Sequence, residues 1–488
     1  MVRSFPPVPL TSVARAAGAD VIGDASATSV VDVALDDREV TPGSLFCCVV
    51  GARVDGHDHA AAAVDRGAAA LLAERPVAVA VPQLVVPSVR AAMGPAAAEV
   101  FGHPARSMTI VGVTGTNGKT TVTYLLDAIF RHAGHRSGVI GTTGARVDGD
   151  AVALAHTTPE APDLHRLLAR MRDAGVDAVA MEVSSHALAQ HRVGGLVADV
   201  AVFTNLSQDH LDFHPTMDAY FDAKATLFTP DAARRGVVAV DAAWGRALAE
   251  RAAIPGTTIG VDVDAEVRAH AVVADASGIA FRVEGVDVHA PLLGRFNVAN
   301  ALAAIVAARE TGIEPTVAAD ALATVAGVPG RMEPVRAGQR FLVMVDYAHT
   351  PDSILGVLRA ARPLTTGRVI IVFGCGGDRD RAKRPAMGRV ATAHADLAVL
   401  TSDNPRSEDP LAILAAVEAG ARAGGGRYVV EPDRRLAIRR ALADADDDDV
   451  VVIAGKGHET HQEIDGTARP FDDRVVAREE LLALGSGA

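Results

Sequence analysis

The chain has 488 residues, too many for one ordinary domain, and this length predicts roughly three domains. Hydrophobic residues make up 49% of the chain and aromatic residues only 4%, which is typical of closely packed α/β units rather than of a β-sandwich. A net charge of −13 argues against nonspecific nucleic-acid binding, which needs a basic surface.

Cysteine usage and the N-terminal residues indicate the cellular compartment. Cys47, Cys48 and Cys375 are odd in number and lack metal-site spacing, which fits a reducing environment. Residues 1–10 contain one arginine and three prolines but no continuous apolar stretch of the kind found in signal peptides. Since no apolar run long enough to cross a bilayer follows, the sequence predicts a cytoplasmic protein without membrane insertion.

Apolar runs alternate with alanine- and leucine-rich helical stretches along most of the chain, which predicts βα units and parallel sheets. Loop-like segments at 101–105 and 328–334 interrupt this pattern, each before a predicted strand, at 108–113 and 341–345. They divide the chain into three predicted domains, 1–106, 107–333 and 334–488. An acidic run at 444–449 predicts a solvated turn before a strand at 450–454.

A glycine loop follows the first strand of the predicted central domain. Glycines let backbone N–H groups approach phosphate, the N-terminus of the following helix favours negative charge, and Lys119 and Thr120 can reach phosphate and magnesium. The usual P-loop has a glycine where this chain has Val113, so the loop is a shortened form. The predicted ATP-binding residues are Gly115, Thr116, Asn117, Gly118, Lys119, Thr120 and Thr121.

Two further predicted strands of the central domain, at 177–181 and 200–203, run into polar segments. Glu182 follows the first strand directly, and His210 lies in the segment after the second. Because doubly wound sheets bind ligands at the carboxyl edge of their strands, we expect both side chains beside the nucleotide, where they can hold magnesium. The alternative is that either residue is a structural hydrogen-bonding group.

Lysine is rare in this chain. Of the 47 lysine and arginine residues, only Lys119, Lys224, Lys383 and Lys456 are lysines, and all four lie in or beside segments rich in glycine, aspartate or histidine. Lysine offers a compact ammonium that fits a phosphate loop and an amine whose pKa can fall enough to react. The pattern therefore predicts chemical roles for these lysines.

The motifs together resemble those of the Mur ligases, ATP-dependent enzymes that add amino acids to peptidoglycan precursors. The resemblance covers nearly the whole chain, at residues 114–121, 157–160, 181–188, 204–214, 294–300, 330–332, 346–351, 403–406 and 455–459. It implies an N-terminal UDP-binding α/β domain, a central P-loop ATPase-type parallel sheet and a C-terminal Rossmann-like domain that binds the amino acid. The implied reaction phosphorylates a peptide carboxylate with ATP, after which an amine attacks the acyl phosphate.

The resemblance also implies roles for residues near the nucleotide. Lys224 would be carbamylated by carbon dioxide and would bind magnesium together with Thr120, Glu182 and His210. Asn297 would lie near adenine, and Arg331 would contact the nucleotide at the hinge into the last domain. Lys119, Lys224, Glu182 and His210 form the implied catalytic group.

Two regions are implied to bind the UDP-N-acetylmuramoyl dipeptide. The central residues are Thr157, Thr158, Ser184, Gln190 and Arg192, and those of the first domain are Leu35, Asp37, Ala52, Arg53 and Val54. The chain departs from the family pattern at two places. Asp37 stands where the family usually has serine, and Gln208 replaces the usual arginine before Asp209.

The amino-acid substrate is expected to be meso-diaminopimelate rather than lysine. Residues 403–406 follow a predicted strand at 397–401, and Arg406 can grip a second carboxylate with two N–H groups. By resemblance, the site comprises Arg379, Asp403, Asn404, Pro405, Arg406, Gly455 and Glu459. Three alternatives remain open: a lysine-adding ligase of the same family, an enzyme like folylpolyglutamate synthetase, and a nucleotide-binding scaffold without catalysis.

Overall fold

The computed structural model describes residues 5–51 and 54–485. They fold into three α/β units, each built on its own largely parallel sheet, which confirms the predicted fold class. Within these two ranges, no helix combines the length and the apolarity needed to span a membrane.

The first unit is a small sheet with helices packed on it. Its strands are β1 (Val8–Pro9), β2 (Asp20–Ile22), β3 (Ser29–Val30), β4 (Asp32–Ala34), β5 (Ser44–Cys47), β6 (Ala70–Ala73) and β7 (Gln83–Val85). Its helices are α1 (Leu10–Ala17), α2 (Ala60–Asp65) and α3 (Val89–Val100), with short 3₁₀ turns at Asp37–Glu39, Gly56–His59 and Pro104–Ser107. The sheet order is β2-β7-β6-β5-β4, in which β4 to β7 run parallel. Strands β5 and β6 are buried at every position, as expected where helices cover both faces.

The central unit contains the longest sheet. Its strands are β8 (Thr109–Thr114), β9 (Ser137–Gly141), β10 (Gly144–Val147), β11 (Asp150–Val152), β12 (Ala178–Glu182), β13 (Ala198–Phe203), β14 (Ala233–Ala239), β15 (Gly256–Gly260), β16 (Val267–Arg268), β17 (His270–Asp275), β18 (Gly278–Val283) and β19 (Val286–Ala290). Its helices are α4 (Lys119–His132), α5 (Ala161–Asp173), α6 (Ser185–Ala189), α7 (Met217–Ala225), α8 (Ala243–Arg251), α9 (Phe296–Glu310) and α10 (Pro315–Ala323), with a 3₁₀ turn at Thr226–Phe228.

Strand order places the ends of β8, β12 and β13 side by side. The order is β11-β10-β9-β12-β8-β13-β14-β15-β16, and the strands from β9 to β16 in this order are parallel. An antiparallel sheet of β17, β18 and β19 packs with α4, α9 and α10 on one face, while α5 and α7 cover the other. The carboxyl ends of the three middle strands therefore share one edge.

The third unit is a second parallel sheet. Its strands are β20 (Glu333–Pro334), β21 (Leu342–Asp346), β22 (Val369–Phe373), β23 (Leu397–Leu400), β24 (Tyr428–Val430), β25 (Val450–Ala454), β26 (His461–Ile464) and β27 (Thr467–Pro470). Its helices are α11 (Pro351–Ala361), α12 (Lys383–His394), α13 (Pro410–Gly424), α14 (Arg434–Ala443) and α15 (Asp473–Gly485), with a 3₁₀ turn at Arg362–Leu364. The sheet order is β20-β21-β25-β22-β23-β24, parallel except for β20.

The predicted strands lie within two residues of the observed ones, and the strand at 450–454 has the predicted bounds. One part of the prediction for the acidic run is wrong. Asp446, Asp447 and Asp448 are exposed, but Asp449 is buried. Its carboxylate accepts hydrogen bonds from the backbone and guanidinium N–H groups of Arg368, which lies 81 positions earlier in the chain.

A buried ion pair joins two strand ends of the third unit. Arg434 and Asp473 are both fully buried, and their closest nitrogen and oxygen atoms are 2.6 Å apart. The Arg434 guanidinium also donates to the carbonyl of Ser402 at 3.1 Å and to that of Ala454 at 2.9 Å. It therefore fixes the segments that follow β23 and β25 relative to each other.

We expect Asp473→Ala to destabilise the third unit strongly. Removing one partner of a buried ion pair costs about 3–5 kcal/mol, because the other charge stays buried and unpaired. Urea unfolding followed by circular dichroism measures the loss. The control is Asp287→Ala, which cuts an exposed ion pair with Arg282 and should leave the transition unchanged. Equal unfolding curves for the two variants would contradict the structural role of the buried pair.

Candidate active site

The phosphate loop joins β8 to α4, and two of its glycines leave no room for a side chain. Gly115 has a φ of +147° and Gly118 a φ of +89°. A Cβ added to Gly115 would lie 2.0 Å from Thr204 Oγ1, and one added to Gly118 would lie 2.4 Å from Asn300 Oδ1. Both backbone conformation and close packing therefore require glycine at these positions.

The carboxyl end of β13 holds the loop in place. Asn205 Oδ1 accepts the backbone N–H of Asn117 at 2.9 Å, and Asn205 Nδ2 donates to the Asn117 carbonyl at 3.0 Å. Thr204 Oγ1 donates to the same carbonyl at 2.6 Å. The hydroxyl of Thr116 lies 3.1 Å from that of Tyr220. Protein hydrogen bonds therefore fix the loop, and Thr120 and Thr121 follow it, buried in the first turn of α4.

Two lysines meet at one carbonyl of this loop. Lys119 Nζ donates to the carbonyls of Gly115 and Thr116, both at 2.9 Å, and Lys224 Nζ donates to the Gly115 carbonyl at 2.9 Å. Burial lowers the pKa of Lys119. Burial, with the charge of Lys119 as a second cause, lowers the pKa of Lys224 well below its ordinary value. Burial therefore favours the neutral amine of Lys224 over its charged form, and the neutral amine is the form that reacts with electrophiles.

Glu182 ends β12 next to the loop. Its side chain is buried, and its carboxylate accepts the backbone N–H of Thr142 at 2.9 Å and the Thr142 hydroxyl at 3.0 Å. The charge of Glu182 acts to raise the pKa of Lys119, against the larger effect of burial. The structure therefore brings Glu182 and Lys119 to the same sheet edge.

Two of the predicted magnesium ligands, Thr120 and Glu182, lie beside the phosphate loop. Thr120 Oγ1 accepts a hydrogen bond from Arg331 at 2.9 Å, and the segment 5–51 together with 54–485 contains no cluster of three or more His, Cys, Asp or Glu side chains placed to hold a metal ion. Magnesium in nucleotide sites is usually held by one or two carboxylates together with substrate phosphates. The buried carboxylate of Glu182, beside the phosphate loop, fits this mode of binding.

His210 lies in a charged cluster between the central and third units. Its Nε2 is 3.5 Å from Asp209 Oδ2, and burial lowers the pKa of the His210 imidazole. The same Asp209 carboxylate faces His349 at 3.9 Å and Lys383 at 4.0 Å, both from the third unit. Burial lowers the pKa of His349 to about 4. Sequence reasoning singled out Lys383 as a rare lysine but gave it no partner, and it did not find His349.

Asn297 and Arg331, the residues predicted to contact the nucleotide, are connected through Asn300 and Thr120 to the phosphate loop and the first turn of α4. Asn297 is buried at the start of α9, where its Nδ2 donates to the Leu293 carbonyl and its Oδ1 accepts from Asn300. The Arg331 guanidinium lies 4.6 Å from the ring centroid of Tyr347 and donates to Thr120. Arg331 thus connects the segment that leads into the third unit with the first turn of α4.

The central residues predicted for the UDP substrate form one hydrogen-bonded group. Thr158 Oγ1 donates to the Glu182 carbonyl at 2.9 Å and accepts the Ser184 backbone N–H at 3.1 Å. Arg192 NH1 donates to the Thr158 carbonyl at 3.1 Å, and its NH2 donates to Gln190 Oε1 at 2.7 Å. Thr157 Oγ1 is 3.2 Å from Thr142 Oγ1, which connects the group to Glu182.

The first-unit predictions are less well placed. Leu35 is partly buried and Val54 exposed, while Ala52 and Arg53 lie outside the described residues. The Asp37 carboxylate is 2.6 Å from Arg66 NH1 and 3.2 Å from His59 Nδ1. Because the Arg66 guanidinium already pairs with this carboxylate, its departure from the family serine has a structural use. Its role toward substrate remains a prediction.

In the third unit, Asn404 and Glu459 bind a buried lysine, and Asp403 packs against Gly455 beside it. Lys456 is fully buried, and its Nζ donates to Asn404 Oδ1 at 3.1 Å and to Glu459 Oε2 at 3.2 Å. Gly455 has a φ of +115°, and a Cβ there would lie 2.5 Å from Asp403 Oδ2. The rarity of lysine pointed to Lys456, although the sequence did not predict its position inside this cluster.

The two predicted arginines occupy different surroundings. Arg406 is partly buried, its NH1 donates to the Gly377 carbonyl at 2.7 Å, and its Nε is 3.6 Å from Glu463 Oε2. Arg379 is exposed, and its NH1 donates to the Asp378 carbonyl. Pro405 is buried beside this turn. The guanidinium of Arg406 is thus held by the loop that carries Arg379.

Comparison with known proteins identifies the class. The Mur ligase middle domain model matches residues 113–308, the Mur ligase glutamate ligase domain model matches residues 330–457, and the Mur ligase family catalytic domain model matches residues 29–106. The chain belongs to the Mur ligase family, whose members are ATP-dependent ligases that form amide bonds.

Relatives match over almost the full length of the chain. The UDP-N-acetylmuramoyl-L-alanyl-D-glutamate--2,6-diaminopimelate ligase of Geobacillus thermodenitrificans is 48% identical, covering 92% of this chain and 94% of its own. The protein of the same name from Streptomyces coelicolor is 47% identical, with 97% of each chain covered. A solved structure of a ligase with that name superposes with a TM-score of 0.71 at 34% identity, covering 99% of this chain and 100% of its own.

We expect Lys119→Arg to lower the rate of ADP release by on the order of 10²–10³-fold, the cost of losing one preorganised charge-stabilising group. A planar guanidinium cannot occupy the position of an ammonium that donates to two loop carbonyls 2.9 Å away. A coupled ADP-release assay measures the rate, with circular dichroism as the control for folding. A rate within a few fold of wild type would contradict the phosphate-loop assignment.

Proposed function

We propose that this protein adds meso-2,6-diaminopimelate to UDP-N-acetylmuramoyl-L-alanyl-D-glutamate in cytoplasmic peptidoglycan precursor synthesis, with ATP as co-substrate. The observation that carries the proposal is the buried amine of Lys224, which donates to the Gly115 carbonyl of the phosphate loop at 2.9 Å. A scaffold that only binds nucleotide has no need of such an amine. The names of relatives that match over more than nine-tenths of the chain support the choice of substrates.

The reaction proceeds in two balanced steps. An oxygen of the substrate carboxylate attacks the γ-phosphorus of ATP, which forms an acyl phosphate and releases ADP. The neutral amine of the amino acid then attacks the acyl carbon, which forms the amide, releases phosphate and gives up one proton. The first step brings two anions together, and the second step uses a weak nucleophile. The protein therefore contributes mainly positioning and charge stabilisation.

The residues of the central edge have separate roles in this scheme. Lys119 binds the outer phosphates of ATP, and the backbone N–H groups from Gly115 to Thr121 surround them. Lys224 takes up carbon dioxide as its carbamate, losing one proton, and with Glu182, His210 and Thr120 it would hold Mg²⁺. The bound ion would neutralise the charge on the phosphates. Asn297 and Arg331 orient the nucleotide.

Each of the three predicted domains binds a different part of the substrates. Residues 1–106 bind the UDP group through Leu35, Asp37, Ala52, Arg53 and Val54. Residues 107–333 hold ATP, and they bind the dipeptide end through Thr157, Thr158, Ser184, Gln190 and Arg192. Residues 334–488 bind the amino acid through Arg379, Asp403, Asn404, Pro405, Arg406, Gly455 and Glu459. The family match over residues 29–106 supports this scheme over that of a folylpolyglutamate synthetase.

Amino-acid-dependent ADP release tests the proposal directly. The purified protein is given ATP, Mg²⁺ and UDP-N-acetylmuramoyl-L-alanyl-D-glutamate, together with one amino acid from a panel that includes meso-diaminopimelate and lysine. We expect ADP release only with meso-diaminopimelate. Release with a folate and glutamate instead, or no release with any amino acid, would contradict the proposed function.

Lys224→Ala is expected to lower kcat by more than the roughly 10–100-fold that loss of an outer-shell metal partner costs. The variant loses the amine that would become the carbamate, so a small carboxylate such as acetate should restore part of the rate by taking its place. The measurement is kcat with and without acetate, and the wild-type enzyme serves as the control for effects of acetate itself. Full activity of the variant without acetate would remove the carbamate from the mechanism.

Arg406→Ala is expected to raise KM for meso-diaminopimelate and to reduce the preference over lysine. Lysine lacks the distal carboxylate, and a site built around such a polar contact can reject the lacking analogue by roughly 10⁴-fold. Steady-state kinetics with both amino acids measure the preference, and KM for ATP should not change. Arg422→Ala, which removes an exposed arginine of α13, is the matched control. Equal efficiency of the wild-type protein with lysine would overturn the assignment and leave the ligase proposal intact.

A further inference from the structure

One carboxylate lies between two arginines where the first and central units meet. Glu160 Oε2 is 2.7 Å from NH1 of Arg90, which lies in the first turn of α3, and Glu160 Oε1 is 3.1 Å from Nε of Arg192. Glu160 immediately precedes α5 and follows the Thr157 and Thr158 pair. The three side chains thus sit beside the central residues proposed for the UDP substrate, and the inference below rests on that proposed function.

Arg192 is committed to protein acceptors. Its side chain is 11% exposed, and all three of its nitrogens donate, to Gln190 Oε1 through Nε and NH2 and to the Thr158 carbonyl through NH1. A guanidinium has five N–H donors in one plane, and these bonds fix the orientation of that plane. Arg192 therefore positions Thr158 and Gln190, which leaves one N–H group each of NH1 and NH2 for its proposed contact with the dipeptide end.

Arg90 is the more available of the two. Its side chain is 28% exposed, and within residues 5–51 and 54–485 its hydrogen bond is the single one from NH1 to Glu160. Its Nε and NH2 groups keep their N–H donors for another acceptor. The Glu160 carboxylate holds the guanidinium in place without using those donors.

Close backbone packing fixes the position of Arg90. A Cβ added to Gly94 of α3 would lie 2.4 Å from the Gly194 carbonyl oxygen, and one added to Gly195 would lie 2.7 Å from the Gly94 carbonyl oxygen. The Gly194 carbonyl also lies 2.9 Å from the buried His165 imidazole. Helix α3 is therefore seated directly on the loop that follows Arg192, and Arg90 has a defined place relative to Thr158.

The charges favour an anionic ligand. Arg90 and Arg192 carry two positive charges and Glu160 one negative charge, which leaves a local excess of one positive charge in a chain of net charge −13. The proposed substrate carries a diphosphate and carboxylates. Phosphate and carboxylate oxygens accept charge-assisted hydrogen bonds from arginine in the same bidentate geometry.

We propose that Arg90 binds an anionic oxygen group of the UDP-sugar dipeptide through its free N–H donors, oriented by Glu160, while Arg192 positions the neighbouring residues. The substrate then contacts both units at once, so its binding holds the first unit against the central unit. The group is either the diphosphate or a dipeptide carboxylate, and the experiment separates the two.

The test compares KM values for the UDP-sugar dipeptide. Arg90→Gln is expected to raise that KM by on the order of 10- to 100-fold, the range of a hydrogen bond to a charged group, and to leave kcat and KM for ATP within a few fold. Arg90→Lys should recover part of the loss. The control is Arg172→Gln, which removes another arginine at the same interface. Arg172 NH1 donates to the Phe101 carbonyl at 3.0 Å, and this contact lies about 18 Å from Glu160 along α5.

Glu160→Gln distinguishes substrate binding by Arg90 from a purely structural role of the ion pair between Arg90 and Glu160. It removes the charge of Glu160 but keeps an amide oxygen that can accept from Arg90 NH1. The guanidinium therefore stays oriented while the net positive charge of the site increases, and we expect KM to fall rather than rise. If KM rises equally in Arg90→Gln and Glu160→Gln, or if it rises equally in Arg172→Gln, the inference is wrong. The ion pair would then only stabilise the contact between the first and central units. An unchanged KM in Arg90→Gln would overturn it outright.

Two further measurements complete the design. Inhibition by UDP alone weakens in Arg90→Gln if Arg90 binds the diphosphate, and stays unchanged if it binds a dipeptide carboxylate. Calorimetric binding of UDP-N-acetylmuramoyl-L-alanyl-D-glutamate tests Arg90 independently of turnover. If the wild-type protein binds this compound more tightly than Arg90→Gln does but never releases ADP, the proposed function fails and the role of Arg90 stands. If the wild-type protein does not bind it, both fail.

Discussion

The Gly115 carbonyl is the contact on which the candidate site depends. Two lysine side chains donate to it, and both lie in a buried setting that disfavours their charged forms. Burial, and after it the charge of Lys119, lowers the pKa of Lys224, because two ammonium groups at one carbonyl repel each other. The backbone of the predicted phosphate loop therefore also holds a buried amine.

A second constraint is that the reaction edge is assembled from two sheets. The central sheet supplies Asp209, and the third unit places His349 and Lys383 around that carboxylate at 3.9 and 4.0 Å. Arg331 bonds Thr120 at the base of α4 from the segment that enters the third unit. These polar contacts therefore join the central and third units along one edge.

Local patterns predicted the phosphate loop and the polar strand ends because both depend on residues adjacent in sequence. Gly115 directly follows a strand that the sequence predicted, and Glu182 ends another. The surroundings of Asp37, Asp449 and Arg192 could not be predicted, since their partners come from distant parts of the chain. Asp37 meets Arg66, Asp449 meets Arg368, and Arg192 bonds Thr158. A family pattern gives the identity of a residue but not which of its donors are already used.

The use of lysine in this chain follows from geometry. Lys119 and Lys224 reach backbone carbonyls of the phosphate loop, Lys383 faces a buried carboxylate, and Lys456 lies fully buried among Asn404, Glu459 and the His461 carbonyl. Lys119 and Lys456 each reach more than one acceptor, which suits an ammonium with three rotatable donors better than the rigid fork of a guanidinium. Where a planar donor pairs with a carboxylate, as Arg90 does with Glu160, arginine is the better choice. The few lysines therefore lie at polar contacts inside the fold, along the proposed path from ATP to the amino acid.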